Sequence, residues 1–344
     1  LAMPDRKKNI LDIGFGRGEL AYALSKSSLK VTGLDYSKDA VEIAQKAFRN
    51  VDNLSFIYAD ILEFDTEEKF DVILATDVIE HIEQPMLLKM FKKVKTLLSK
   101  NGVFIVHTAP NKLNYMYGYS GQYKKAKEIG VYIPENPRTY YEDIMHINEQ
   151  TPASLHRGLR SSFNNVVVWT ASMPDLLGDL GRAPDKKTLS QNNSIFAVCS
   201  SKILDVSEIE DCLTQKELHV TGLNVKIKLL DTLNSIEAGE TVDFKVKVSN
   251  YSGQRLSSLQ PYPINLAYHW VSADAPANSI LDGIRTPLGA MLLKNSDMVV
   301  DMRIKAPVMP GKYILEVTMV QEGQFWLEQF VPSLPVKLGV TVYD

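Results

Sequence analysis

The stretch Leu11-Asp12-Ile13-Gly14-Phe15-Gly16-Arg17-Gly18-Glu19-Leu20 constrains the fold of this chain more than any other. It follows the short run Asn9-Ile10-Leu11 and precedes a helical pattern, so it reads as a parallel strand turning tightly into a helix. Glycines suit such a turn because a ligand approaches the backbone closely only where no Cβ intrudes. Two nucleotide chemistries use a loop of this kind.

The dinucleotide version requires G-x-G-x-x-G and sets a pyrophosphate on the helix N-terminus. Here the third glycine, Gly18, comes one place early, and Glu19 stands where the fingerprint needs glycine. Asp12 adds a carboxylate at the strand end, which repels a pyrophosphate and attracts a cation or accepts from an amine. A positively charged, phosphate-free ligand fits better. The pattern resembles the first motif of the class I S-adenosylmethionine (SAM) methyltransferases, whose cofactor carries an ammonium and a sulfonium.

Downstream residues extend the resemblance. Asp35 ends a second strand about 20 residues after the loop, where a carboxylate accepts from both hydroxyls of a ribose. Asp60 follows Tyr58-Ala59 at the end of a third strand. In the methyltransferases such an acid contacts the adenine amino group, and the next backbone NH, here Ile61, meets the ring. A helix cap or a solvated strand end would explain any one of these carboxylates, but less readily all three at successive strand ends. Ala75-Thr76-Asp77-Val78-Ile79-Glu80-His81-Ile82 resembles the D-V-(I/L)-E-H segment of small-molecule methyltransferases, in which the backbone near Asp77 lines the methionine end. The cofactor set implied is Asp12, Gly14, Gly16, Gly18, Asp35, Tyr36, Asp60, Ile61, Thr76 and Asp77, with SAM as cofactor. The resemblance covers about residues 9 to 200.

At 344 residues the chain suffices for two domains, each burying its own core. A formal net charge of −3 gives no global field for nucleic acid. No apolar run is long enough to span a bilayer. Cys199 and Cys212 lack metal or CxxC spacing, which indicates a reducing compartment, read here as the cytoplasm. The start at Leu1 rather than methionine leaves room for a preceding segment.

Strand and helix patterns alternate from Asn9 to about Ser200, so the expected fold is α/β, a doubly wound seven-stranded Rossmann-like sheet. A helix opened by Pro85 is expected to stop at Asn101-Gly102. Residues 110–150, rich in Tyr, Gly, Asn and Pro, are expected to form a lid over the acceptor. The polar stretch between the strands expected at Val166 to Thr170 and at Ile195 to Ser200 reads as an antiparallel edge excursion, as the methyltransferase resemblance implies. Residues 201–220 read as a linker after a methyltransferase domain of residues 1–200. From 221 to 344 the period switches to two, as at Val242, Phe244, Val246 and Val248, which argues for an antiparallel β-sandwich. Its motifs, among them Tyr268-His269-Trp270 and Phe325-Trp326, resemble an immunoglobulin-like accessory domain found beside bacterial surface-polysaccharide enzymes. Tyr268, Trp270 and Trp326 are either a sugar platform or sandwich core.

Methyl transfer to a hydroxyl needs a general base, and histidine is the natural one near neutrality. His146, at the end of the lid, is the preferred base, with His81 the other candidate; a structural role for His81 is the competing reading. His107, Tyr140, Tyr141 and Glu149 are expected to line the acceptor pocket, Glu149 also orienting His146, while His156 is expected at the surface. No compact metal-ligand spacing is visible, so no metal site is read, and a divalent ion stays an open alternative without an argument for it. The expected function is O-methylation of a sugar or glycan in surface-polysaccharide assembly, with other assembly enzymes as further partners. The alternatives are a glycan-binding scaffold with a non-catalytic methyltransferase half, and a methyltransferase of another small molecule.

Overall fold

The computed structural model describes residues 8–26, 28–172, 175–183 and 185–344. The chain divides into two compact units, Leu1–Cys212 and Leu213–Asp344.

The first unit runs β1 (Asn9–Ile13), α1 (Glu19–Ser25), β2 (Lys30–Asp35), α2 (Lys38–Ala47), β3 (Leu54–Tyr58), β4 (Phe70–Thr76), α3 (Gln84–Leu97), β5 (Leu98–Thr108), α4 (Tyr119–Glu128), α5 (Tyr140–Met145), α6 (Pro152–Arg160), β6 (Asn165–Ala171), α7 (Lys186–Gln191), β7 (Ser194–Ser200) and α8 (Val206–Leu213), the last crossing the division by one residue. Its seven strands lie in the order β3-β2-β1-β4-β5-β7-β6. The ladders joining β1 to β5 are parallel, while β7 runs antiparallel between β5 and β6. Strand order therefore reverses between β1 and β4, the crevice where open α/β sheets hold ligands at their carboxyl ends.

α3 forms because its apolar residues recur at helical spacing. Leu87, Met90, Phe91, Val94 and Leu97 all lie on the buried face of α3, each contributing roughly 1.5–3 kcal/mol of burial. Ser37 caps α2 by accepting from the Ala40 N–H. Phe48 sits at its C-cap, its ring 4.6 Å from that of Tyr22.

Gly102 does not end α3 as expected. The helix stops at Leu97, and Gly102 lies inside β5, where a Cβ would come within 2.8 Å of the Phe70 carbonyl oxygen. The glycine is required by close strand approach, not by a helix stop. The stretch from 110 to 150 is likewise not plain loop: a π-turn at Asn114–Gly118 leads into α4, and α5 follows. A reciprocal capping box between Thr139 and Glu142 starts α5.

The second unit contains β8 (Val225–Leu229), β9 (Ser235–Glu237), β10 (Thr241–Asn250), β11 (Ile264–Ser272), β12 (Thr286–Pro287), β13 (Ser296–Lys305), β14 (Gly311–Gln321), β15 (Phe325–Trp326) and β16 (Val336–Tyr343). One sheet has the order β13-β10-β8, the other β12-β11-β14-β16-β9, with β15 beside β14. Inward residues of both sheets, such as Phe244, Val246, Met302, Leu315 and Val317, share one core. Trp270 and Tyr268 belong to that core, which removes them as a sugar platform. The backbone of Lys305 holds both: its carbonyl accepts from Trp270 Nε1 at 2.9 Å and its N–H donates to the Tyr268 hydroxyl at 2.9 Å. Trp326 lies partly exposed beside the Arg285 guanidinium at 4.8 Å and the His269 ring at 4.4 Å.

The stretch expected as a linker is structured. After α8, Gln215 Oε1 accepts from the Ser257 N–H at 2.8 Å, and Leu218 packs in the second core. No helix among the described residues is long and apolar enough to cross a membrane.

Candidate active site

The carboxyl ends of β1 to β4 open onto a cleft of about 570 Å³. Gly14, Gly16, Asp35, Tyr36, Asp60, Ile61, Asp77 and His81 are on its wall, which brings most of the expected cofactor set together. Asp35 ties the wall into one piece: its carboxylate accepts from the Gly16 N–H at 3.1 Å and the Ser37 N–H at 2.8 Å. Asp60 Oδ1 accepts from the Leu62 N–H at 2.8 Å. Asp77 holds φ at 54°, an uncommon backbone state that tends to mark functional positions, and its carboxylate lies 3.0 Å from His107 Nδ1.

The three loop glycines serve different ends. A Cβ on Gly14 would come within 2.5 Å of Val78, and one on Gly18, the N-cap of α1, within 2.8 Å of the Phe56 ring. Gly16, with φ 59°, has no atom within 4 Å of its Cβ position, so the space it leaves belongs to the cleft. Gly18 and Thr76 do not border the cleft, and Asp12 is buried at 1% exposure. Among the described residues neither oxygen of Asp12 has a hydrogen-bond partner. Burial, aided by the nearby Asp35 charge, pushes its carboxyl up to about 7. An acid of this kind answers the need of a cationic ligand. With room at Gly16 and carboxylates at Asp35 and Asp60, the residues fit a nucleoside that carries positive charge.

A second cluster stands at one side of the cleft. His81 follows β4 on a 3₁₀ turn, Ile79–His81, and borders the cleft. Its Nδ1 lies 2.9 Å from the Met145 carbonyl oxygen; a carbonyl only accepts, so Nδ1 carries a proton, and in the neutral ring the lone pair is on Nε2. His146, the C-cap of α5, has its ring centroid 4.9 Å from that of His81. Glu80, 1% exposed, accepts from the Thr108 hydroxyl at 2.7 Å through Oε2, while Oε1 lies 3.9 Å from His81 Nε2. The Asn148 N–H donates to the Glu80 carbonyl and its amide to that of Ile82, stitching the end of the expected lid to the β4–α3 connection.

Electrostatics in this cluster follow burial. It raises the Glu80 carboxyl and pushes that of Glu149 up to about 7. It lowers the His146 imidazole, with help from His81, and so favours the neutral ring. Glu149 Oε1 lies 3.0 Å from Arg138 Nη2 and 3.5 Å from His146 Nδ1. Neither contact is aligned as a hydrogen bond, and both Glu149 Oε1 and His146 Nδ1 lack one among the described residues. Glu80, His81 and His146 each offer a ligand atom, all within 4.8 Å of one another, although the sequence shows no metal spacing.

His146, His107, Tyr140, Tyr141 and Glu149 do not border the cleft; the two tyrosines are exposed and His107 pairs with Asp77 instead. Sequence reasoning missed Glu80, Thr108 and Arg138. Only Glu80 carried a signal, as the acid beside His81 in the D-V-(I/L)-E-H segment. The cleft wall near His81 is apolar, with Ile82, Met86, Met90, Met145 and Ile147.

Residues 4–143 match a family model described as a methyltransferase domain. Among curated proteins, the chain is 30% identical over 138 residues to a ubiquinone biosynthesis O-methyltransferase of Rickettsia typhi, covering 39% of this chain and 53% of the relative. A protein of the same name from Actinobacillus pleuropneumoniae is 32% identical over 108 residues, 29% of this chain and 45% of the relative. The chain thus spans about half the length of these relatives. Among solved structures, the N-methyltransferase NodS from Bradyrhizobium japonicum WM9 overlays 56% of this chain and 84% of its own, with a TM-score of 0.37 and 14% identity.

Proposed function

We propose that this chain, whose N-terminal unit carries a SAM-dependent methyltransferase domain, is an O-methyltransferase acting on a hydroxyl presented beside His81. The observation that carries the reading is the histidine bordering the cofactor cleft with Nδ1 held by a carbonyl, so that its neutral ring offers Nε2, and a second histidine beside it whose burial favours the neutral ring. When bound, the cofactor supplies an electrophilic methyl on a positively charged sulfur. The chain's own groups do the rest. Asp35 and Asp60 orient the nucleoside, and Asp12 supplies negative charge beneath the loop once ionised. The apolar wall excludes water from the transfer path, and holding both reactants converts a collision into a positioned attack. His81 stands nearest the acceptor, with His146 supporting it, a reversal of the order expected from sequence.

The acceptor we propose is a sugar or glycan hydroxyl of a surface polysaccharide. The support is the strand-rich second unit, whose motifs resemble immunoglobulin-like neighbours of polysaccharide enzymes. The methionine and isoleucine wall near His81 favours a second reading, a hydroxyl on an apolar or aromatic body. Labelled SAM incubated with nucleotide sugars, oligosaccharides and simple phenols discriminates: label on saccharide supports the first reading, label on phenol alone the second. No label on any hydroxyl compound overturns O-methylation.

A further inference from the structure

We propose that Glu80, His81 and His146 form a divalent-cation site whose open positions receive the acceptor oxygen: the ion takes the His81 Nε2 lone pair and acidifies the bound hydroxyl, whose proton leaves to water, so the site rests on the reading above for the acceptor alone. The fold assembles these residues from two places, the β4–α3 connection and the end of α5, and brings one ligand atom of each within 4.8 Å of the others. Metal bonds to nitrogen and oxygen are about 2.0–2.2 Å, so a slight inward movement lets one ion touch all three.

Each ligand is already oriented for this task. The Met145 carbonyl accepts from His81 Nδ1–H, leaving Nε2 free for an ion. The Thr108 hydroxyl occupies Glu80 Oε2, leaving Oε1 on the histidine side. Such outer hydrogen bonds fix ring tautomer and carboxylate direction in metal sites, and their loss typically costs 10–100-fold in metal affinity. A simple Glu80–His81 ion pair explains the arrangement less well, because 3.9 Å between Oε1 and Nε2 is too long for the hydrogen bond such a pair would make.

A second observation is independent of the first. Glu149, whose side chain is 6% exposed, places Oε1 near His146 without a hydrogen bond, as does His146 Nδ1 in return. Buried polar atoms are seldom left so, and an ion on His146 would balance this acidic pocket. Asp77 also acts on Glu80 and His146, while Arg138 opposes the ion from beside Glu149. Two imidazoles and one carboxylate suit manganese, iron, cobalt or zinc better than magnesium or calcium. Because His81 borders the cleft, positions not filled by protein face the acceptor.

The test uses the full chain, freed of metal with chelator and saturated with S-adenosylhomocysteine. Titration with Mn²⁺, followed by electron paramagnetic resonance of the free ion, is expected to give one saturable equivalent. His81→Ala and His146→Ala are expected to weaken it at least 100-fold, and Thr108→Val about 10-fold, while far-ultraviolet circular dichroism and an unchanged unfolding midpoint show that each variant is folded. Absence of saturable binding for Mn²⁺, Co²⁺ and Zn²⁺, or equal binding by both histidine variants, overturns the site. Methylation of a hydroxyl that proceeds unchanged in excess chelator removes the site and keeps the O-methylation reading. Stoichiometric Mn²⁺ binding lost in the histidine variants, with no hydroxyl compound methylated, keeps the site and removes that reading.

Discussion

Replacing Asp12 by Asn tests the electrostatic heart of the cofactor site. In the folded chain the Asp12 carboxyl is raised from 3.8 to about 7 by burial and by Asp35. Because the folded state holds the proton more tightly than the unfolded one, the stability linked to Asp12 is fully present below about pH 4 and is lost as pH rises towards 7. A shift from 3.8 to about 7, at about 1.4 kcal/mol per unit, puts the full loss at about 4 kcal/mol. Asn has nearly the same shape and stays neutral, so the variant should match the native chain near pH 4 and exceed it by about 3–4 kcal/mol near pH 8. Urea unfolding of the ligand-free protein across that range gives the difference directly, because every other titrating group is common to both. The same substitution removes the negative charge beneath the loop. Calorimetry at pH 8 should therefore show SAM binding at least tenfold weaker, while neutral adenosine changes little. A variant with the native pH dependence, or one that binds SAM as tightly as the native chain, would refute the account of Asp12 as a buried acid serving a cationic ligand.

Other sites give sharper local tests. Gly16→Ala puts a methyl into the cleft at φ 59°, whereas Gly130→Ala bears the same kind of strain at φ 72° away from the cleft. Both should lose about 1–2 kcal/mol of stability, but only the first should lose tenfold or more in S-adenosylhomocysteine affinity by calorimetry. Trp270→Ala removes a fully buried side chain and its bond to Lys305, and should destabilise the second unit by about 3–5 kcal/mol in chemical denaturation. Arg138→Ala deletes the bond from Nη2 to the Glu142 carbonyl at 3.1 Å and the contacts with Asp143 and Glu149. Limited proteolysis should then cut between residues 139 and 149 faster than in the native chain, and an unchanged cleavage rate would show that Arg138 does not hold this segment.

The sequence by itself determined the features that depend on short-range chemistry. A strand, a glycine turn and a helix are written in consecutive residues from Asn9 to Ser25, and the acids at Asp35 and Asp60 follow the strands they end. The switch to a period of two beyond residue 221 announces strands for the same reason, since side chains alternate faces along one segment. Only the tertiary structure decided which distant groups meet. Nothing local says that Glu80 faces His146, that β7 enters between β5 and β6, or that Leu218 fills the second core and not a linker. Asp77 shows the limit at a single residue: its motif marked the position, but its pairing with His107 comes from neighbouring strands β4 and β5 running in register. Local propensity and periodicity act over a few residues, whereas these partnerships appear only after chain segments far apart in sequence have been brought together by burial of the cores between them.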